Sequence, residues 1–380
     1  MDKPIYFFKG FRFLLVLVTI FSNPILANEK LINVKIGLLE SLSPKIPSSS
    51  DRYKSLNESA LFYALGENEK KLNECGYRIT TTTSYFDTLD AIELIVEAKA
   101  LEQSNPWVII GPRRSNHFIT ASKEIKQTPM ISTLANADAI FNSNRLIFSM
   151  SSSITNLAKA MSNEIEKSNF GKRYGTVVDV RCNNCVDFAK ALRKFNSNRN
   201  EAFYLEVADN TPDLDKLKEN IAKHKIDYLV VPNYSELSGY IISEIQKSNP
   251  SIKFVGADGW GENSFSYING YGVNSDTVAM SIKAGVQNSD KDKYFKINSL
   301  DSEVNGANIK PPYSVYALIE LIRILSNDLC NSSAKNKHEF SEYLAKKPSN
   351  HFVKNVPYSI YKIKNGQLEF SHYVSSNEQK

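Results

Sequence analysis

The stretch Pro106–Asp138, PWVIIGPRRSNHFITASKEIKQTPMISTLANAD, decides the fold. Val108, Ile109 and Ile110 are β-branched residues in a row, as in a strand buried on both faces. They stop at Gly111-Pro112, a strong turn signal. Ser115 and Asn116 are candidate caps for a helix over His117–Lys126. A second apolar burst, Met130-Ile131, runs into Ser132, Thr133, Ala135 and Asn136. Two strands one helix apart therefore both end in hydroxyls, amides and free backbone N–H groups. In open α/β sheets, ligands bind at the carboxyl ends of strands, and a helix N-terminus there favours an anion. The geometry suits a small carboxylate. The plain alternative is an ordinary turn with capping residues.

Outward from this stretch the rhythm continues. Asn33–Leu39 reads as an opening strand, and the Ser/Pro-rich Glu40–Arg52 as a loop. A helix over Leu56–Leu72 and a β-branched strand over Tyr77–Tyr85 follow. Asp87 or Thr88 then caps a helix over Leu89–Gln103, with Ala91, Leu94, Ile95, Ala98 and Leu101 on one face. Beyond Arg145–Met150 the alternation restarts. Helices are expected over Ile154–Ser168, Val186–Phe195, Leu214–His224 and Ser235–Ser248, and strands over Gly175–Val180, Glu201–Val207, Asp227–Pro232 and Lys253–Gly256. Strand–helix alternation at this spacing predicts doubly wound parallel sheets. A long helix over Pro312–Leu329 comes next. Val356–Lys364 and Gln367–Phe370 read as a closing hairpin around Asn365-Gly366, a two-residue turn signal.

At 380 residues, 42% apolar and 11% aromatic, the chain can bury a large core and is expected to form two lobes. A net charge of +5 is too mild to argue for nucleic acid. Residues 1–27 read as a signal peptide: Lys3, Lys9 and Arg12 precede an apolar run from Phe13 to Phe21 and a cleavage site at Ile25-Leu26-Ala27. That run is about half of the roughly 20 residues a spanning helix needs. Cleavage removes a net +2 and leaves the mature chain near +3.

Export makes disulfides feasible for the four cysteines, Cys75, Cys182, Cys185 and Cys330. Cys182-Asn183-Asn184-Cys185 is a local staple or a redox pair, and Cys75 with Cys330 would then join the ends of two helices. The pairing stays open at this point. The scattered five histidines offer no metal set. No G-x-S-x-G, H-E-x-x-H or supported S-x-x-K is present, so neither an enzyme nor a cofactor is expected.

GPRRSN followed by TPMISTLANAD resembles a segment of the type I periplasmic binding proteins, the branched-chain amino-acid-binding proteins and the related receptor ligand-binding regions. The order of elements continues the resemblance over nearly the whole mature chain, and DYLVVPNYSE before FVGADGW is its next closest segment. The resemblance implies two doubly wound parallel-sheet lobes joined by a three-crossing hinge. Lobe 1 would comprise residues 28–147 and 284–350, and lobe 2 residues 148–283 and 351–380. Arg145–Met150 would make the first crossing and Thr277–Lys283 the return.

It further implies a periplasmic protein that captures an amino acid or similar small polar ligand for an ABC-type membrane transporter. Alternatives are a sensor or receptor component of the same fold, or a drifted member without amino-acid binding. Ser115, the backbone of Leu134, and Asn136 (in place of Thr) would hold a ligand α-carboxylate, Asp258 an α-ammonium, and Tyr234 would close over the ligand. Independently, a zwitterion needs donors at one end and a carboxylate at the other. Placing them on opposite lobes lets ligand stabilise the closed form. Three departures stand out. An aromatic of the family falls on Asn184, the first loop lacks a clear aromatic, and Arg113 and Arg114 replace small residues. A pocket Arg113 would recognise a second carboxylate; the alternative is that both arginines face solvent, and that Asp258 is a surface turn residue.

Overall fold

The computed structural model describes residues 31–42, 47–87, 90–143, 146–208, 212–260, 277–284, 313–353, 358–364 and 367–374. The first sheet holds β1 (Ile32–Leu42), β2 (Tyr77–Asp87), β3 (Val108–Ile110), β4 (Met130–Ser132) and β5 (Ile147–Ser149), in the order β2-β1-β3-β4-β5. All its pairings are parallel. Helices α1 (Pro47–Glu74), α2 (Ala91–Gln103), α3 (Ser115–Glu124) and the short α4 (Asp138–Phe141) connect these strands. Parallel neighbours require such crossovers.

The side-chain period of two sorts the strand residues onto two cores. Val34, Ile36, Leu38, Val108 and Ile110 face α1, with α9 (Tyr313–Ser332) and α10 (Lys337–Ala345) completing that layer. Leu39, Ile109 and Met130 pack with Leu94, Ala98, Leu101, Phe118 and Ala121 of α2 and α3 on the other face. Burial on both faces is what the unbroken Val-Ile-Ile run anticipates.

The second sheet comprises β6 (Arg173–Asp179), β7 (Asn200–Val207), β8 (Tyr228–Val230), β9 (Lys253–Val255), β10 (Ala279–Ala284), β11 (Tyr358–Lys364) and β12 (Gln367–Val374). Its order is β12-β11-β10-β9-β8-β6-β7, parallel except for the antiparallel β10–β11 and β11–β12 pairs. Helices α5 (Ile154–Lys167) and α6 (Asn183–Phe195) pack on one face, and α7 (Leu214–His224) and α8 (Ser235–Ser248) on the other. The chain thus passes from the first sheet to the second after β5, returns for α9, and passes over again before β11. At the first passage, Ser152 Oγ lies 2.7 Å from the Tyr358 hydroxyl at the start of β11.

Several expectations need correction. Residues 40–52 are not one loop: β1 runs to Leu42, and α1 begins at Pro47. The register pairs β1 with β2 as far as Leu42 and Asp87, and proline is favoured at a first helical position because its fixed φ suits the turn. Asp90, not Asp87 or Thr88, caps α2, accepting from the Ile92 and Glu93 N–H groups at 2.8 and 2.9 Å. Helix α3 starts at Ser115, without any side-chain cap. Helix α6 starts earlier than expected, behind Cys182. Arg145–Met150 is not itself a crossing, since β5 pairs inside the first sheet. Thr277–Lys283 does not cross back either: it contributes β10, hydrogen-bonded to β9 and β11. The Asn365-Gly366 turn lies outside the described residues, although its flanking strands pair from Lys364 and Gln367 outward.

Two disulfides resolve the open pairing. Cys75, just past α1, joins Cys330 in the last turn of α9, and Cys182 joins Cys185. Among the described residues, no helix is long and apolar enough to cross a membrane.

Candidate functional site

The carboxyl ends of the two sheets face each other across a cleft, and the turns at those ends carry its polar residues. On the first side, Gly111 adopts a φ of +93°, and a Cβ there would lie 2.3 Å from the Leu39 carbonyl oxygen. Only glycine fits a backbone approach that close. The tight turn delivers Ser115 at the head of α3, facing the loop after β4. That loop folds on itself: Ser132 Oγ accepts from Ala135 N–H at 2.9 Å and donates to the Pro112 carbonyl at 2.8 Å. Leu134 N–H, an expected carboxylate donor, lies 3.3 Å from the same oxygen.

Ser115 and Asn136 are both buried. Ser115 Oγ accepts from the N–H of Asn136 at 3.0 Å and of Ala137 at 3.3 Å, so the hydroxyl expected to cap a helix secures the opposing loop instead. The Asn136 carbonyl in turn accepts from Ile154 N–H at 2.9 Å, which ties this loop to the first passage between the sheets.

From the second side, two groups reach across. Asn136 Nδ2 donates to Asp258, in the turn after β9. Asn184 Nδ2 donates to Asn136 Oδ1 at 2.7 Å and to Ser115 Oγ at 3.0 Å. Asn184 lies within the disulfide-closed loop at the start of α6, where the resemblance placed an aromatic. The Asp258 turn is held from behind by Trp260, which is fully buried and donates from Nε1 to Ser238 Oγ at 2.8 Å and to the Val231 carbonyl at 3.1 Å.

Tyr234 precedes α8 and is half exposed. Its phenol end is desolvated enough to titrate above the ordinary tyrosine value; Arg114 opposes that rise, while Asp258 and Asp179 reinforce it. Asp179, at the end of β6, takes a two-pronged contact from Arg181 at 2.8 Å on each arm. Its burial favours the neutral acid, but the Arg181 hydrogen bonds and charge prevail and hold the pKa below the usual value. Asn233, wholly buried between these groups, accepts from Asp179 N–H at 2.7 Å and donates to the Val177 carbonyl at 3.1 Å.

Ser115, Asn136 and Asp258 therefore come together, with Tyr234 within electrostatic reach. Arg113 does not join them. It turns to the first sheet and pairs with Glu40 at the end of β1, Nε to Oε2 at 3.2 Å. Arg114 is the exposed arginine at the cleft. Asp179, Asn233 and Glu40 were missed from sequence. The only signal was position, because each follows or ends an apolar strand run.

Burial pushes the Glu40 carboxyl above its ordinary pKa of 4.5, and the Arg113 charge only partly offsets this. A raised native pKa means that the folded state binds the proton more tightly than the unfolded chain. Stability from this group is then complete below about 4.5 and declines as pH climbs through the shifted range. Glu40→Gln should therefore improve relative to wild type as pH rises from 4 to 8, read as the difference in Tm. A pH-independent difference would contradict this assignment.

Among the described residues no cluster of His, Cys, Asp and Glu forms a metal site. A cavity of about 830 Å³, lined by Trp107, Gln127, Lys337 and Ser341 among others, opens beside the amino ends of the first sheet and shares no residue with the cleft.

No family model matches the sequence, and no curated protein matches it. Solved structures do match. A leucine-binding protein from Thermotoga maritima superposes with a TM-score of 0.71 at 13% identity, covering 91% of this chain and 99% of that one. A branched-chain amino-acid transporter substrate-binding protein from Streptococcus pneumoniae, in complex with isoleucine, gives 0.68 at 17% identity, over 90% and 99% of the two chains. A solute-binding protein of an ABC transporter from R. palustris, in complex with benzoate, gives 0.67 at 15%, over 90% and 96%. Two doubly wound sheets, three passages of the chain between them and these superpositions lead to one conclusion: the chain has the fold of the type I periplasmic binding proteins.

Proposed function

We propose that this protein is an exported solute-binding protein that captures a small polar molecule between its lobes and presents it to an ABC-type membrane transporter. Lobe 1 would be built on the first sheet, through Ser149, with α9 and α10, and lobe 2 on the second sheet, in the periplasm after removal of residues 1–27. The observation that carries this reading is the polar bridge across the cleft, in which Ser115 and Asn136 of one side meet Asn184 and Asp258 of the other. Polar groups that converge from two bodies, buried on one side and half-buried on the other, suit a ligand that stabilises the closed form over the open one. Solute-binding proteins with this fold hold isoleucine in one case and benzoate in another, so the fold accommodates both zwitterions and plain acids. None of the three neighbours named above is an enzyme.

A thermal-shift screen of the chain from Asn28 with amino acids, their amides, aromatic acids and dicarboxylates tests the reading. A ligand at about 100 times its Kd adds about 2.7 kcal/mol, a shift of several degrees. Hits abolished by Asp258→Ala and Ser115→Ala are expected. Hits unaffected by both substitutions would move the site away from the cleft.

A further inference from the structure

The hydrogen bonds at the base of the cleft have a fixed direction. Asp258, as a carboxylate, can only accept. The Asn136 group that meets it must therefore be the NH2, and Asn136 Oδ1 must face the other way, towards Asn184. Asn184 accordingly offers its own NH2, shared between Asn136 Oδ1 at 2.7 Å and Ser115 Oγ at 3.0 Å. The N–H groups of Asn136 and Ala137, which would otherwise greet an anion, are turned onto Ser115 Oγ. The Ser115 hydroxyl in turn donates to Asn136 Oδ1 at 3.3 Å, so the buried wall of the first side spends its donors on itself, and the group that meets it from the second side is an amide NH2.

A carboxylate in the place of the Asn184 amide would set oxygen against Asn136 Oδ1. Turning the Asn136 side chain over would relieve that clash, but only by aiming its Oδ1 at the Asp258 carboxylate. A primary carboxamide meets neither obstacle. Its NH2 takes the contacts with Asn136 Oδ1 and Ser115 Oγ, and its carbonyl accepts the NH2 that Asn184 releases. No protein group has to reverse. Asn184 is well placed for this exchange, because the Cys182–Cys185 bond fixes the loop on either side of it.

We propose that the cleft selects a small molecule presenting a primary carboxamide over the carboxylate of the same shape. The inference rests on the solute-binding reading above and names the chemistry of that same site.

The test uses matched probes on the mature chain: benzamide against benzoate, and leucinamide against leucine, by calorimetry and thermal shift. The amide of each pair should bind about tenfold tighter or more, the factor one mismatched buried hydrogen bond is worth. Asp258→Asn removes the acceptor-only group and frees Asn136 to turn, so the preference should shrink or reverse in that variant. Tighter binding of the carboxylates by the wild type, lost in Asp258→Ala, would overturn the inference and leave the solute-binding reading standing. An amide preference unchanged in Asp258→Asn would also overturn it. Silence of all four probes and of the wider screen, on a folded protein, would remove both.

Discussion

Trp260→Ala should cost about 3–5 kcal/mol, the usual range for removing a wholly buried large aromatic. The indole is fully buried in the core of the second sheet, and a Cβ added at Gly256 would lie 2.2 Å from its Cε2, so the ring lies against the β9 backbone. Its N–H also satisfies Ser238 Oγ and the Val231 carbonyl. The substitution therefore leaves a cavity and removes a donor from two acceptors. Trp260→Phe separates the two effects, since it keeps most of the volume and should cost about 1–2 kcal/mol for the lost hydrogen bonds. Urea denaturation followed by far-UV circular dichroism gives both values. A loss below about 1 kcal/mol for Trp260→Ala would show that the site collapses around the gap. Because Asp258 lies two residues from this anchor, ligand response should fall in Trp260→Ala even where the protein stays folded. The only other tryptophan is Trp107, in the core of the first sheet, so its fluorescence follows that sheet separately.

Replacing both Cys75 and Cys330 by Ser is the second large effect. Their Cα atoms are 5.4 Å apart and 255 residues separate them in sequence. The bond holds the end of α1 against α9, whose Leu318, Leu321, Ile322 and Leu325 share a core with Ala60, Leu61 and Ala64 of α1. A cross-link stabilises mainly by limiting the unfolded chain, more so for a long loop, and about 2–5 kcal/mol is expected on removal. The m-value should rise as well, because the freed denatured state exposes more surface. An unchanged urea midpoint would mean that the unfolded chain gains little freedom when the bond is cut. The Cys182–Cys185 bond closes a far shorter loop, so the same change there should cost less stability. Its effect should fall on the cleft through Asn184 instead.

The fold was legible where local signals agreed. Strand β3 and helices α7 and α8 match their sequence expectations residue for residue. A β-branched run ended by Gly-Pro leaves few alternatives; Asp213, which caps α7 by accepting from Lys216 N–H at 3.0 Å, was not named from sequence. Residues 40–52 misled because Ser and Pro read as loop while a pairing partner 45 residues away held Glu40–Leu42 extended. At the site, Ser115 and Asn136 were nameable because each follows an apolar strand and a turn signal, and Asp258 because FVGADGW resembles a segment of the binding-protein family. The partners those groups choose were not. Nothing local to Arg113 announces Glu40, and nothing in C-N-N-C announces that Asn184 meets a serine 69 positions earlier. Such choices depend on which loops the sheets bring face to face, which is a property of the assembled topology.

That topology also bears on how the chain is made. The first core is closed by α9 and α10, residues 313–345, although β5 is finished by Ser149. Strands β11 and β12 join the second sheet only after that. Neither half is a contiguous stretch, so the amino-terminal part emerging first has no complete layer to cover Val34, Ile36 and Leu38. Folding must wait for contacts of very high sequence separation, the slow kind. If the chain is exported as proposed, that delay would favour a leading segment still unfolded while the rest of the chain is being made.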